Sequence, residues 1–213
     1  MAKMQPFWWF LKPPFIHPSY VCWYNGCENC ADWTCPIGTC QIDNVDFKEH
    51  TGSILFSQDA SISIPSLMSS CRYVGFWLKF SGAPGTLTTA VGIWTDAPPP
   101  GGYAYINFSQ YSPTDFRVML IVRTPIDYWS WYWTFDYRPY LNIWQWFEIW
   151  TWYNSVYNQS EFGFFRAGED IGGAVLGGNV GNPITFKKTD VYGHRPMKFD
   201  YLRVATKEEY PPE

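Results

Sequence analysis

The stretch RYVGFWLKFS, residues 72–81, decides the fold. Val74, Phe76, Leu78 and Phe80 recur at every second position, with Gly75 and Lys79 among the positions between them. That period of two predicts a half-buried β-strand. Working outward, TTAVGIWT (88–95), GYAYINFS (102–109), FRVMLIVR (116–123) and SWYWTFD (130–136) continue as β-rich runs. Their separators, Ala97-Pro98-Pro99-Pro100-Gly101, Ser112-Pro113-Thr114-Asp115 and Thr124-Pro125, have turn chemistry. Upstream, SILFS (53–57) and ASISI (60–64) are short strands with a tight connection at Gln58-Asp59. Downstream, WFEIWTWYN (146–154) carries aromatics on both faces, so one face meets something other than solvent. Gly168 to Asn182 reads as a long loop with a short strand, and KFDYLRVA (198–205) closes the series. A dozen short strands without a helical period predict an all-β, two-sheet antiparallel jelly-roll sandwich over residues 46–205. Residues 1–45 form an irregular, cysteine- and aromatic-rich N-terminal arm, and 206–213 a C-terminal tail.

Composition agrees. The chain has 213 residues, 21% of them aromatic against 16% charged, which excludes disorder. A length near 200 suits one β-sandwich domain. The net charge is −4, and the only adjacent basic pair is Lys187-Lys188, so no phosphate-neutralising footprint for nucleic acid is present. No run of about 18 apolar residues exists to span a membrane as a helix. The apolar run Phe7 to Leu11 ends at Lys12-Pro13-Pro14, short of a signal-peptide core.

The order GSILF (52–56), ASISIP (60–65), YVGFWLKF (73–80), VGIW (91–94), WQWFEI (144–149) and FDYLRV (199–204) resembles the concanavalin A-like superfamily of lectins and glucanases, in its laminin-G-like form. Asp200, Leu202 and Arg203 match that family's final-strand Asp-x-hydrophobic-Arg pattern. The resemblance implies roles from glycan binding and adhesion to viral particle structure, and fold does not choose among them.

Cys22, Cys27, Cys30, Cys35 and Cys40 cluster in the arm, and Cys71 stands alone. An even count in a loop-like stretch points to disulfides in an oxidising compartment. Closing Cys22 to Cys35, or Cys40 to Cys71, would stabilise the fold by about 3–4 kcal/mol. Cys71 is expected to be bonded, to the arm or to another copy. Zinc held by Cys27-x2-Cys30 with Cys35 or Cys40 is the rival, weakened by the lack of a second C-x2-C knuckle.

Catalysis finds little in the sequence. The glucanase branch of the resembled family uses Glu-x-Asp-x-x-Glu on one strand, and no such string occurs. Glu148 reads as an exposed strand residue paired with a Lys or Arg. His17, His50 and His194 lack a nucleophile-elbow context. Gly172-Gly173 and Gly177-Gly178 lack a phosphate-loop context. No spaced oxygen-ligand series for calcium appears, so neither metal nor cofactor is expected. The aromatic surplus is the stronger clue. Trp129, Trp131 and Trp133 form a period-two stripe beside Tyr128, Tyr132 and Tyr137. Either the stripe is an inner sheet face, or it faces a sugar or a protein partner, as Trp150 and Trp152 also could.

The expectation is therefore a non-enzymatic structural or adhesive component of an extracellular assembly, such as a virion decoration, linking or tail protein. Its partners would be other subunits or further copies of itself, at an extracellular or virion surface reached without a recognisable signal peptide. The alternative is a lectin-type glycan-binding module.

Overall fold

A computed structural model describes residues 19–49, 51–68, 70–80, 89–96, 103–112, 114–123, 128–136, 138–157, 159–166, 169–177, 185–193 and 197–207. His17, His50, His194, Tyr137, Gly168, Gly178 and most of the proline-bearing separators lie outside these residues. Fourteen strands are present among the described residues: β1 Val21–Asn25, β2 Cys40–Asp43, β3 Ser53–Phe56, β4 Ala60–Ser63, β5 Tyr73–Phe80, β6 Thr89–Asp96, β7 Tyr103–Ser112, β8 Asp115–Arg123, β9 Tyr128–Phe135, β10 Gln145–Asn154, β11 Gln159–Arg166, β12 Glu169–Gly177, β13 Thr185–Gly193 and β14 Met197–Ala205. Two short 3-10 turns, Cys30–Asp32 and Arg138–Tyr140, interrupt them. No helix among the described residues is long and apolar enough to cross a membrane.

The strands form two antiparallel sheets, the expected sandwich. One has eight strands in the order β12-β11-β10-β5-β14-β3-β2, with β1 also pairing β14. The other has six, in the order β4-β13-β6-β7-β8-β9. Alternation puts Val74, Phe76, Leu78 and Phe80 of β5 inside, opposite Ile106 and Phe108 of β7 and Phe116, Val118 and Leu120 of β8. Aromatic rings fill the space between sheets: Phe76 meets Phe108 edge-on at 5.5 Å and stacks on Phe199 at 5.0 Å, and Phe116 stacks on Phe147 at 5.6 Å. Such offset and edge-on pairs add to the burial of large apolar rings.

Several sequence expectations change. Gln58-Asp59 is not a hairpin turn, because β3 belongs to the eight-stranded sheet and β4 to the six-stranded one. The stretch read as a long loop with a short strand at 168–182 holds a longer one, the nine-residue β12, whose Gly172 and Gly173 pair Phe164 and Gly163. Its glycines suit close approach rather than a loop: a Cβ on Gly172 would meet Trp133 at 2.9 Å. Among the described residues of the N-terminal arm, β1 and β2 join the eight-stranded sheet. Trp129, Trp131 and Trp133 pair Val122, Leu120 and Val118 and share their inward side, so the stripe takes the inner-face alternative. Trp133 packs on Phe164 of the facing sheet at 4.9 Å, and Trp131 at the edge keeps 38% exposure.

Disulfides join Cys22 to Cys71 and Cys30 to Cys40, rather than Cys22 to Cys35 and Cys40 to Cys71, while Cys27 and Cys35 are free thiols. The Cys30–Cys40 bond takes two of the four candidate thiolates out of the zinc set. The Cys22–Cys71 bond fastens β1 beside the start of β5.

The outer face of the eight-stranded sheet is partly roofed by residues 46–49. Asp46 takes hydrogen bonds from Lys79 (2.8 Å), Lys198 and Trp144 Nε1 (2.9 Å). Burial pushes the Asp46 carboxyl up, but those three donors outweigh it and hold it down at about 2. Trp77 Nε1 donates to Glu49 at 3.2 Å, and Asp200 accepts the backbone N–H groups of Lys48 and Glu49 at 2.7 and 2.9 Å. Beneath this roof Trp77, Trp146 and Tyr201 form a second apolar cluster. Glu148, expected to be exposed, is buried there against Arg203.

Candidate functional site

The outer face of the six-stranded sheet carries polar and aromatic chemistry in rows set by strand register. One row runs Lys188, Trp94, Tyr105, Ile121, Ser130 across β13, β6, β7, β8 and β9. The next runs Asp190, Gly92, Asn107, Met119, Tyr132, and the third Tyr192, Ala90, Ser109, Arg117, Thr134. On β7 the cause is plain alternation: Ala104, Ile106 and Phe108 go to the core, so Tyr105, Asn107 and Ser109 face outward.

Gly92 is what joins the rows. A Cβ there would lie 2.0 Å from Tyr105 Cε2 and 2.7 Å from its hydroxyl, so the absent side chain lets the Tyr105 ring cross β6 toward β13. The ring packs on Trp94 at 4.3 Å, the two planes tilted by 33°, and meets Tyr192 edge-on at 6.5 Å. A hydrogen-bonded chain results. Ser109 Oγ bonds Asn107 Oδ1, Asn107 Nδ2 donates to the Tyr105 hydroxyl at 2.7 Å, and the Tyr105 and Tyr192 hydroxyls are hydrogen-bonded. Tyr192 donates to Asp190 Oδ2 at 2.8 Å, and Lys188 Nζ holds Asp190 Oδ1 at 2.6 Å. Asn107, Ser109 and Asp190 are buried at the base of the face, whereas Tyr132 is 66% exposed at its rim, with Arg117 over its ring at 5.7 Å.

Burial raises the pKa of Tyr105, against the lowering effect of its hydrogen bonds with Asn107 and Tyr192. Burial also raises that of Tyr192, reinforced by Tyr105 and Asp190. Both are neutral phenols at ordinary pH, linked through one chain to a carboxylate, with lone pairs able to accept from a ligand hydroxyl. The sequence reading missed Trp94, Tyr105, Asn107, Asp190 and Tyr192. The alternation within GYAYINFS could have shown the β7 members, but β13 went unread.

Of the aromatics singled out from sequence, Trp129, Trp131 and Trp133 are turned inward, and Tyr132 stands outward at the rim just described. Trp150 and Trp152 lie together on the outer face of the other sheet. They line a cleft of about 250 Å³ with Arg72, Tyr73 and Glu161. The cysteines belong to the covalent frame beside β1 and β2.

No family model matches the chain, and no curated protein matches it in sequence. Solved structures do match in fold. The chain is similar to an endo-β-1,4-glucuronan lyase from the fungus Trichoderma reesei, with TM-score 0.62 and 11% identity over 88% of this chain and 96% of that one. It is similar to the CBM2 module of the evolved Dit of Lactobacillus casei BL23 phage J-1, with TM-score 0.55 and 9% identity over 90% and 98%. It is also similar to a Bacillus licheniformis β-glucanase, with TM-score 0.51 and 9% identity over 89% and 100%. These likenesses show the fold alone, a two-sheet jelly-roll sandwich.

They also correct the expectation of a chain without enzymatic activity. The structures that share its fold are mostly named as hydrolases or lyases, so the architecture is one that hosts glycan cleavage. The missing Glu-x-Asp-x-x-Glu string excludes one catalytic arrangement only. Acid–base groups converging from different strands leave no local string to read.

Proposed function

We propose that the chain is a glycan-engaging β-sandwich module that holds a saccharide on the outer face of its six-stranded sheet. The observation that carries this reading is the tilted Trp94–Tyr105 ring pair set into the hydrogen-bonded chain from Ser109 to Lys188. An aromatic surface beside a few fixed donors and acceptors is what a polyhydroxylated ring needs, since its C–H faces are apolar and its hydroxyls demand partners. Likeness in fold to the phage module and to polysaccharide-cleaving enzymes supports the same ligand class. The two disulfides support an oxidising location, and with the phage likeness they support an adhesive role within an extracellular assembly. The laminin-G-like form is our finer reading of the strand order from YVGFWLKF to FDYLRV.

A second reading, cleavage of the bound glycan, is favoured by one feature. Tyr105 accepts from Asn107 and connects through Tyr192 to Asp190, an arrangement suited to moving a proton to or from a substrate. One experiment addresses both readings. Neutral and acidic polysaccharides are titrated into the protein by calorimetry, and product ends are assayed in the same mixtures. Binding weakened at least tenfold by Trp94→Ala and by Tyr105→Phe supports the site. New chain ends that vanish in Tyr105→Phe support cleavage. Binding indifferent to both substitutions overturns the assignment of this face.

A further inference from the structure

The cleft on the opposite side of the sandwich has its own chemistry. Its rows are again set by register. Trp152 pairs Glu161, which pairs Val175, and Trp150 pairs Tyr73 on one side and Gly163 on the other. Gly163 makes room for the indole, since a Cβ there would lie 1.9 Å from Trp150 Nε1. Gly173, paired with Gly163, extends that bare backbone onto β12. Trp152 is 43% exposed at the mouth of this cleft. What sets it apart from other exposed apolar residues is that it shares a cleft with a second tryptophan and two charged groups.

The charged groups are held ready. The Arg72 guanidinium lies 4.0 Å above the Trp152 ring. It makes no ion pair among the described residues, so its N–H donors remain for a ligand. Glu161 Oε1 takes both Asn154 Nδ2 (3.3 Å) and Gln159 Nε2 (3.5 Å), which fixes the carboxylate while Oε2 has no hydrogen bond among the described residues. One cation and one anion border the same aromatic floor. An anionic ligand meets Glu161 and a cationic one meets Arg72, whereas a ligand of paired hydroxyls satisfies both. The volume, about 250 Å³, is below that of sites for drug-sized ligands and suits a single ring.

We propose that Arg72, Tyr73, Trp150, Trp152 and Glu161 form a second saccharide site, specific for one neutral pyranose unit and independent of the six-stranded face. The ring's C–H face lies on Trp150 and against the edge of Trp152, whose face Arg72 covers, one hydroxyl pair accepts from Arg72, and a hydroxyl donates to Glu161. The two sites occupy opposite outer faces of the sandwich, so one molecule could bridge two glycan chains.

The test uses the full chain labelled with 5-fluorotryptophan and titrated with glucose, galactose, N-acetylglucosamine and glucuronic acid, followed by fluorine NMR. Substitution of each tryptophan assigns the resonances. The expected result is a saturable shift of the Trp150 and Trp152 resonances with a neutral sugar, weakened at least tenfold by Glu161→Ala and by Arg72→Ala, and unchanged by Tyr105→Phe. The last variant separates failure of this site from failure of the six-stranded face. Three results would overturn the proposal: no shift with any neutral sugar, a shift indifferent to Glu161→Ala, or glucuronic acid binding more tightly than glucose.

Discussion

Arg203 Nη2 stands 3.2 Å from Glu148 Oε2, and the two side chains are 2% and 1% exposed on what is topologically an outer sheet face. Trp146 lies against the pair, 4.6 Å from the guanidinium carbon, and fills the space above Gly75. Removing one partner of such a pair leaves a buried charge without its counterpart. Glu148→Ala should therefore lower stability by about 3–5 kcal/mol, read from chemical denaturation. Replacing both residues, Glu148→Leu with Arg203→Met, should recover most of that loss. A single substitution that leaves the unfolding midpoint unmoved would contradict the pairing.

Asp200 gives a pH dependence. Burial, reinforced by Glu49 and opposed by the backbone N–H groups of Glu49 and Lys48, pushes its carboxyl up to about 7. Oδ1 has no hydrogen-bond partner among the described residues and is the natural seat of the proton. The folded state thus binds the proton more tightly than the unfolded chain. This contribution is fully present below about pH 4 and is lost as pH rises toward 7, by up to about 4 kcal/mol. Asp46 acts in the opposite sense, its contribution being lost only as pH falls from about 4 toward 2. Urea midpoints between pH 4 and 8 should decline in the wild type, and Asp200→Asn should flatten the decline. Equal slopes would sink this assignment.

Thiol counting tests the covalent frame. Denatured without reductant, the chain should take up two alkyl groups, at Cys27 and Cys35, and six after reduction. In the native state the partly exposed Cys35 should react well before Cys27, which is 0% exposed. Cys22→Ser with Cys71→Ser, which opens a loop of 49 residues, should cost about 4 kcal/mol in the chain-entropy picture.

Gly92→Ala should act at a distance from its own strand. The new methyl would occupy the place of the Tyr105 ring, so Tyr105 must swing away from Asn107 and Tyr192. Saccharide affinity should fall at least as far as in Tyr105→Phe, about tenfold, while the far-ultraviolet circular dichroism keeps its β signature. Calorimetry showing wild-type affinity would mean that Tyr105 does not organise the face.

Much of the sandwich was legible because period-two alternation survives wherever one strand face is apolar, as in Val74 to Phe80. It failed where both faces are buried or bare. β12 is broken by Gly172 and Gly173, and the alternation of β10 is blurred because its outward Trp146 packs with Trp77 and Tyr201 and its outward Glu148 is buried against Arg203. Sheet membership was not legible either, since SILF and ASIS look alike and only the partners of β3 and β4 separate them. At the candidate site, Trp150 and Trp152 stood out by residue type. The Tyr105 network did not, because its members come from β7 and β13 and meet only through the gap at Gly92.

The position of β14 bears on how the molecule is made. This last strand lies inside the eight-stranded sheet, with β5 along one edge and β3 and then β1 along the other. During synthesis the early strands therefore wait for residues 197–205 before their sheet can be joined. The pairing of Val21–Asn25 with Leu202–Ala205 closes a loop of nearly the whole chain, an entropic step that ranks this fold among slow, non-local folders. Until then β1, β3 and β5 present open edges. The Cys22–Cys71 bond, by holding β1 beside the start of β5, brings together two of the edges that β14 must find.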